Sequence, residues 1–194
     1  DAEQESVQSI LQMAQNGKKI IVTGCLAQKY KDELKDAIPE ISAMIGTSDI
    51  KEIVSVVDKI SSNNEYINSI SQKPDYIYPE NISRQQITVG ASSYIKIADG
   101  CNYHCGYCII PQLRGEYHSR TMENIVDEAK SLVKKGVTEI VLIAQDTTSY
   151  GLDLYKKNAL SDLLVKLNEI EGLGWIRIMY AYPTQVTDEL LDTI

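Results

Sequence analysis

The chain has 194 residues and a formal net charge of −8, from 19 Lys and Arg against 27 Asp and Glu, with 43% hydrophobic residues. That length allows one large domain or two small ones, and the composition is that of a soluble globular protein with enough apolar residues for a core. No run approaches the roughly 18–20 apolar residues of a membrane span, and the acidic balance disfavours nucleic-acid phosphate as a default partner.

The acidic, polar start DAEQESVQSI is neither a signal nor a transit peptide, so a cytoplasmic location is expected. The absence of an initiator Met reads as a piece of a longer chain. Val7, Ile10, Leu11 and Ala14 recur at helical spacing and predict a first helix, ended by Asn16-Gly17. Lys19-Ile20-Ile21-Val22-Thr23 predicts a buried parallel strand. A helix through Leu26, Tyr30, Leu34 and Ala37 is expected next, then a strand over 42–46. Asp49 is placed to cap a helix through Ile53, Val57 and Ile60. This order predicts helices packed on a parallel sheet over residues 1–60.

Residues 61–90 hold two prolines and no sustained period, and read as a linker between domains. Alternation resumes over 91–194. Strands are expected at 94–98, 139–144 and 175–180. Helices are expected from Thr121 to Gly136, from Ala159 to Ile170 and from Asp188 onward. Three βα units in succession predict part of a (β/α) barrel. The loops after its strands then leave one edge of the sheet and converge. Gln145 and Asp146 follow the second strand; Thr147, Thr148 and Ser149 come after them. Lys96 and Arg177 lie on strands, as anion partners or as exposed edge residues.

The four cysteines divide unevenly. Cys101, Cys105 and Cys108 form C-x3-C-x2-C after the first of these strands, and Cys25 lies far upstream. Three clustered thiols cannot pair off as disulfides without leaving one over. They suit three irons of a 4Fe–4S cluster, whose fourth iron is then open to a small molecule. Gly100 and Gly106 permit the sharp path this needs. Zinc on the three thiols with His104 or His118 is the alternative, although the spacing is not that of a zinc finger.

In context, SYIKIADGCNYHCGYCIIPQLRGEYHSR resembles the signature of the radical S-adenosylmethionine methylthiotransferases through Lys96, Gly100, the three cysteines, Ile110, Pro111, Arg114, Gly115, Ser119 and Arg120. IVTGCLAQKYKDELKDAIPEISAMIGTSD resembles their N-terminal domain. LIAQDTTSYG and IRIMYAYP are similar to the branch that modifies an aspartate of a small-subunit ribosomal protein, rather than the branch that modifies tRNA adenosine. A non-catalytic iron–sulfur or zinc protein is a further reading.

The resemblance implies a partial flavodoxin-like N-terminal α/β domain (1–60), the linker (61–90) and the first half of a radical-SAM, TIM-like barrel (91–194). It implies a 4Fe–4S cluster on Cys101, Cys105 and Cys108 that binds S-adenosylmethionine. Tyr107, Gln145, Asp146 and Arg120 are then expected at the cofactor, with Arg114 beside the cluster loop. Cys25 matches one of three ligands of a second 4Fe–4S cluster in the full-length protein. The remaining implied partners are the ribosomal protein and a reduced electron donor such as flavodoxin. No membrane is implied, and the chain is expected to be a monomer. It is also expected to stop before the last barrel strands and a C-terminal β-barrel domain.

Overall fold

The computed structural model of the chain describes residues 2–63, 65–74, 87 and 90–194. These fall into two compact units, Asp1–Tyr76 with Cys105–Gly115 and Ile77–His104 with Glu116–Ile194.

The first unit holds a parallel sheet in the order β1 (Ile20–Thr23), β2 (Ile41–Ile45) and β3 (Ile67–Ser69). Helices cover both faces. On one face α1 (Ala2–Ala14), α2 (Cys25–Tyr30) and α3 (Asp32–Ala37) bury Ile20, Val22, Leu34, Ile41 and Met44. On the other, α4 (Ile53–Ser62) buries Val56 and Ile60 against Ala43 and Ile45. Each such aliphatic side chain stabilises the unit by roughly 1.5–3 kcal/mol. A fifth helix, α5 (Ile110–Arg114), belongs to this unit although it follows the cysteine loop.

Three features differ from the sequence expectation. The single helix predicted after β1 is two, because Lys31 takes a left-handed φ of 45° between α2 and α3. Asp49 does not cap a helix. A 3-10 turn, Ile50–Glu52, precedes α4, and the Asp49 carboxylate accepts the Ser71 backbone N–H at 2.8 Å and the Ser71 hydroxyl. The expected linker falls partly outside the described residues, while Ile67–Ser69 within it forms β3. Three residues, one of them apolar, are too short for a readable period.

The second unit holds a parallel sheet in the order β4 (Ser92–Lys96), β7 (Glu139–Ile143) and β8 (Trp175–Ile178). Between β4 and β7 lie a two-stranded antiparallel stem, β5 (Ala98–Asp99) with β6 (His118–Ser119), and α6 (Met122–Lys134). The chain continues through α7 (Leu160–Asn168) and ends in α8 (Asp188–Thr193). The core gathers Ile95, Ile125, Leu132, Ile140, Leu142 and Leu163. Thr121 caps α6 by accepting the Asn124 N–H, as its position predicts. Among the described residues no helix is long and apolar enough to cross a membrane.

Candidate functional site

The cysteine loop rises from the β5–β6 stem in the second unit. Ile97 O accepts the Arg120 N–H at 2.9 Å, and the Asp99 carboxylate takes the Lys96 ammonium and the Gly100 N–H. Gly100 has φ 76°, the left-handed turn that starts the loop. One residue past Cys101, the Asn102 side-chain oxygen accepts the Tyr117 N–H at 2.9 Å and ties the two feet together.

Cys105 to Gly115 lie in the first unit. There the Thr47 hydroxyl donates to Leu113 O at 2.5 Å, and Arg114 Nη2 stands 3.8 Å from Cys25 Sγ at the start of α2. Gly115 has φ 76°, and a Cβ on it would overlap the Pro74 carbonyl oxygen. Gly106 has open space around it and no left-handed φ, so the constrained glycine of this arm is Gly115. Below, Gln28 is buried as a hub. Its amide donates to Ser71 O at 2.9 Å and its oxygen accepts from Thr47 N.

All four cysteines are free thiols and partly exposed. The donor chemistry of Cys101, Cys105 and Cys108 fits an iron–sulfur cluster: three unpaired thiols within eight residues, on a loop with a pinned stem. Among the described residues no group of three or more His, Cys, Asp or Glu is gathered to hold a metal ion. The zinc alternative meets the same fact, with His104 exposed and His118 in β6. Cys25 alone supplies too few ligands for a second cluster.

Tyr107 is 94% exposed. The loop after β7 is the reverse case. Asp146 is buried, and its carboxylate accepts the Thr148 N–H at 2.9 Å and the Thr148 and Ser149 hydroxyls. Both oxygens accept hydrogen bonds inside their own loop. Gln145 Oε1 and Thr147 Oγ1 are buried without a hydrogen-bond partner. Such groups are costly unless something pairs with them.

The loop after β8 meets the same edge. Tyr180, held at φ 62°, accepts the Thr147 N–H at 3.1 Å, and the Tyr182 N–H donates to Thr148 Oγ1 at 3.1 Å. The Tyr182 ring lies 4.6 Å from that of Tyr103 in the cysteine loop. The expected convergence of the loops at the strand ends is present within this unit.

Arg120, expected at the cofactor, has donors on neighbouring protein groups. It is buried, with donors directed to Asn124 Oδ1, to Lys96 O at 2.8 Å and to Glu128 at 2.7 Å. It braces β4 against α6. Lys96 pairs with Asp99, and Arg177 with Glu139 of the neighbouring strand at 2.7 Å.

Several residues escape the sequence reading. Asp153 accepts the Ser119 N–H at 2.8 Å and the Ser119 hydroxyl; Ser119 Oγ accepts from Gly151 N at 2.9 Å. The Tyr150 hydroxyl donates to Arg120 O, and that of Tyr155 accepts from Met122 N. The Tyr117 hydroxyl donates to Asp146 O at 2.7 Å. Burial pushes the Tyr117 phenol well above its ordinary range, and nearby Asp146 and Asp153 add to this; burial and then Tyr155 do the same for Tyr150. The only advance signal for these residues is the density of tyrosines in EYHSR and SYGLDLY.

Comparison with known proteins bears on this geometry. The family model of the radical SAM superfamily matches residues 95–194, and that of the uncharacterized protein family UPF0004 matches residues 1–46. The ribosomal protein uS12 methylthiotransferase RimO of Synechococcus sp. (strain CC9311) is 48% identical over 191 residues, 98% of this chain and 40% of that protein. The protein of the same name from Gloeobacter violaceus is 49% identical over 193 residues, 100% of this chain and 44% of that protein. The chain thus spans less than half the length of these relatives. Among solved structures, the radical S-adenosylmethionine methyltransferase TsrM from Kitasatospora setae, with tryptophan substrate and SAM analog bound, superposes with TM-score 0.64. It is 15% identical and covers 98% of this chain and 42% of that one. A second structure of TsrM, with cobalamin and a [4Fe-4S] cluster bound, gives TM-score 0.60 at 14% identity.

Proposed function

We propose, on the premise that this chain belongs to the radical S-adenosylmethionine superfamily, that it is part of a methylthiotransferase acting on ribosomal protein uS12. The carrying observation is the C-x3-C-x2-C loop in a chain 48–49% identical, over nearly its whole length, to proteins bearing that name. The target carbon we infer is the β-carbon of an aspartate in that protein. We further infer a flavodoxin-like N-terminal domain, here partial, and the first half of a TIM-like barrel.

Cys101, Cys105 and Cys108 would hold the 4Fe–4S cluster through their thiolates. When bound, the cluster supplies the electron for reductive cleavage of S-adenosylmethionine. Gln145, with its unpaired buried oxygen, is the residue best placed to accept a hydrogen bond from the cofactor's amino-acid end. Asp146 and Arg120 position the walls of that site. Tyr107, 94% exposed, would contact the cofactor. Cys25 would be one ligand of a second cluster in the full-length protein. The electron would come from a reduced carrier such as flavodoxin, and the setting would be cytoplasmic and monomeric.

The test is mass spectrometry of a uS12 peptide incubated with the reconstituted full-length protein, S-adenosylmethionine and a reductant. An added methylthio mass on the aspartate is expected. Its absence, with modified tRNA adenosine instead, would overturn the substrate.

A further inference from the structure

The segment after the cysteine loop contributes a buried side chain that is bonded to the neighbour of the first cysteine and to the loop after β7. Tyr117 is 5% exposed. Its N–H donates to the Asn102 side chain, one residue after Cys101. Its hydroxyl donates at 2.7 Å to the main-chain carbonyl of Asp146, one residue after Gln145. A single residue thus spans from the first cysteine to the loop carrying two unpaired buried acceptors, Gln145 Oε1 and Thr147 Oγ1.

We propose that Tyr117 is a positioning residue that sets the spacing between Cys101 and the Gln145 edge, and so governs the affinity for S-adenosylmethionine. This rests on the reading of Cys101 as a cluster ligand and of Gln145 as a cofactor contact. The chemistry suits a fixed strut. Both bonds use main-chain groups at the target end or the Tyr117 end, so the strut fixes backbone rather than a mobile side-chain tip. The ring is buried within the core cluster of this unit, which limits its own freedom. Burial and the neighbouring carboxylates keep the phenol protonated, so the hydroxyl remains a donor at neutral pH. Losing that donor leaves the Asp146 carbonyl in a buried setting without it, and the loop relaxes.

Anaerobically reconstituted full-length protein carrying Tyr117→Phe keeps the ring and lacks only the hydroxyl. Its iron content per chain is expected to match the wild type, while its dissociation constant for S-adenosylmethionine rises about tenfold (about 1.4 kcal/mol). Asn102→Ala cuts the same strut at its other end and is expected to raise the constant similarly. The double variant is expected to be no weaker than the weaker single variant, because one strut is cut twice. Unchanged affinity in both variants, with only a lowered melting temperature, would reduce Tyr117 to a fold support and overturn the proposal. If Tyr117→Phe fails to fold, the affinity of Asn102→Ala decides in the same way. A wild-type protein that loads iron yet binds no S-adenosylmethionine would overturn the underlying reading, and the proposal with it.

Discussion

Gly115→Ala offers a quantitative test of how the arm bearing Cys105 and Cys108 is held. At φ 76°, ψ −162° this residue sits in a region nearly closed to side chains, costing about 1–3 kcal/mol. The added methyl also overlaps the Pro74 carbonyl, a backbone atom that cannot rotate away. The penalty is therefore at the upper end, about 3 kcal/mol. Against it, the arm is held by the Thr47 hydroxyl bond to Leu113 O, about 1 kcal/mol, and by burial of Leu113, about 2 kcal/mol. Penalty and hold are of the same size, so the arm is expected to release before the sheet unfolds. Hydrogen exchange read by mass spectrometry should show residues 105–115 losing protection in Gly115→Ala, with the β1–β3 sheet retaining it. Gly106→Ala, in open space, should leave exchange unchanged. Equal protection in Gly115→Ala and wild type, or an equal loss in Gly106→Ala, would show that Gly115 does not hold the arm.

Other consequences follow from the second unit. Asp153→Ala removes two acceptors for Ser119, and urea unfolding should show a loss of about 2–3 kcal/mol. Arg120→Lys should cost about 2–3 kcal/mol, because one ammonium cannot serve Asn124, Lys96 O and Glu128 together; a loss under 0.5 kcal/mol would contradict the bracing role. Tyr117 and Tyr150 have phenols raised above the unfolded value of about 10, so the folded state keeps protons that the unfolded state loses above that pH. Their contribution is fully present below pH ~10 and is lost as pH rises further, by up to about 1.4 kcal/mol per unit for each. Chemical denaturation across that range should show the fall, and Tyr117→Phe should flatten part of it.

Much of this was readable because the elements are strongly periodic. Ile140 to Ile143 and Leu160 to Leu167 announce a central strand and an amphipathic helix, and Thr121 its cap. The parallel order follows from alternation of strand and helix. What escaped has a common cause: it depends on pairs distant in sequence. Asp49 looks like a cap because nothing local points to Ser71, 22 residues away. Arg120 looks like a ligand contact by type and position, and only tertiary structure shows one of its donors on Lys96 O, 24 residues away. The choice between Gly106 and Gly115 turns on Pro74, which local sequence does not bring near. The thiols themselves are recognisable from spacing alone.

The most direct measurement is iron content together with 5′-deoxyadenosine production in the anaerobically reconstituted full-length protein, for wild type and Cys105→Ala. Three thiolates holding one catalytic cluster predict that Cys105→Ala loses about four irons per chain and releases no 5′-deoxyadenosine, while the wild type does both. Stoichiometric zinc without iron in the wild type, or 5′-deoxyadenosine from Cys105→Ala, would contradict it.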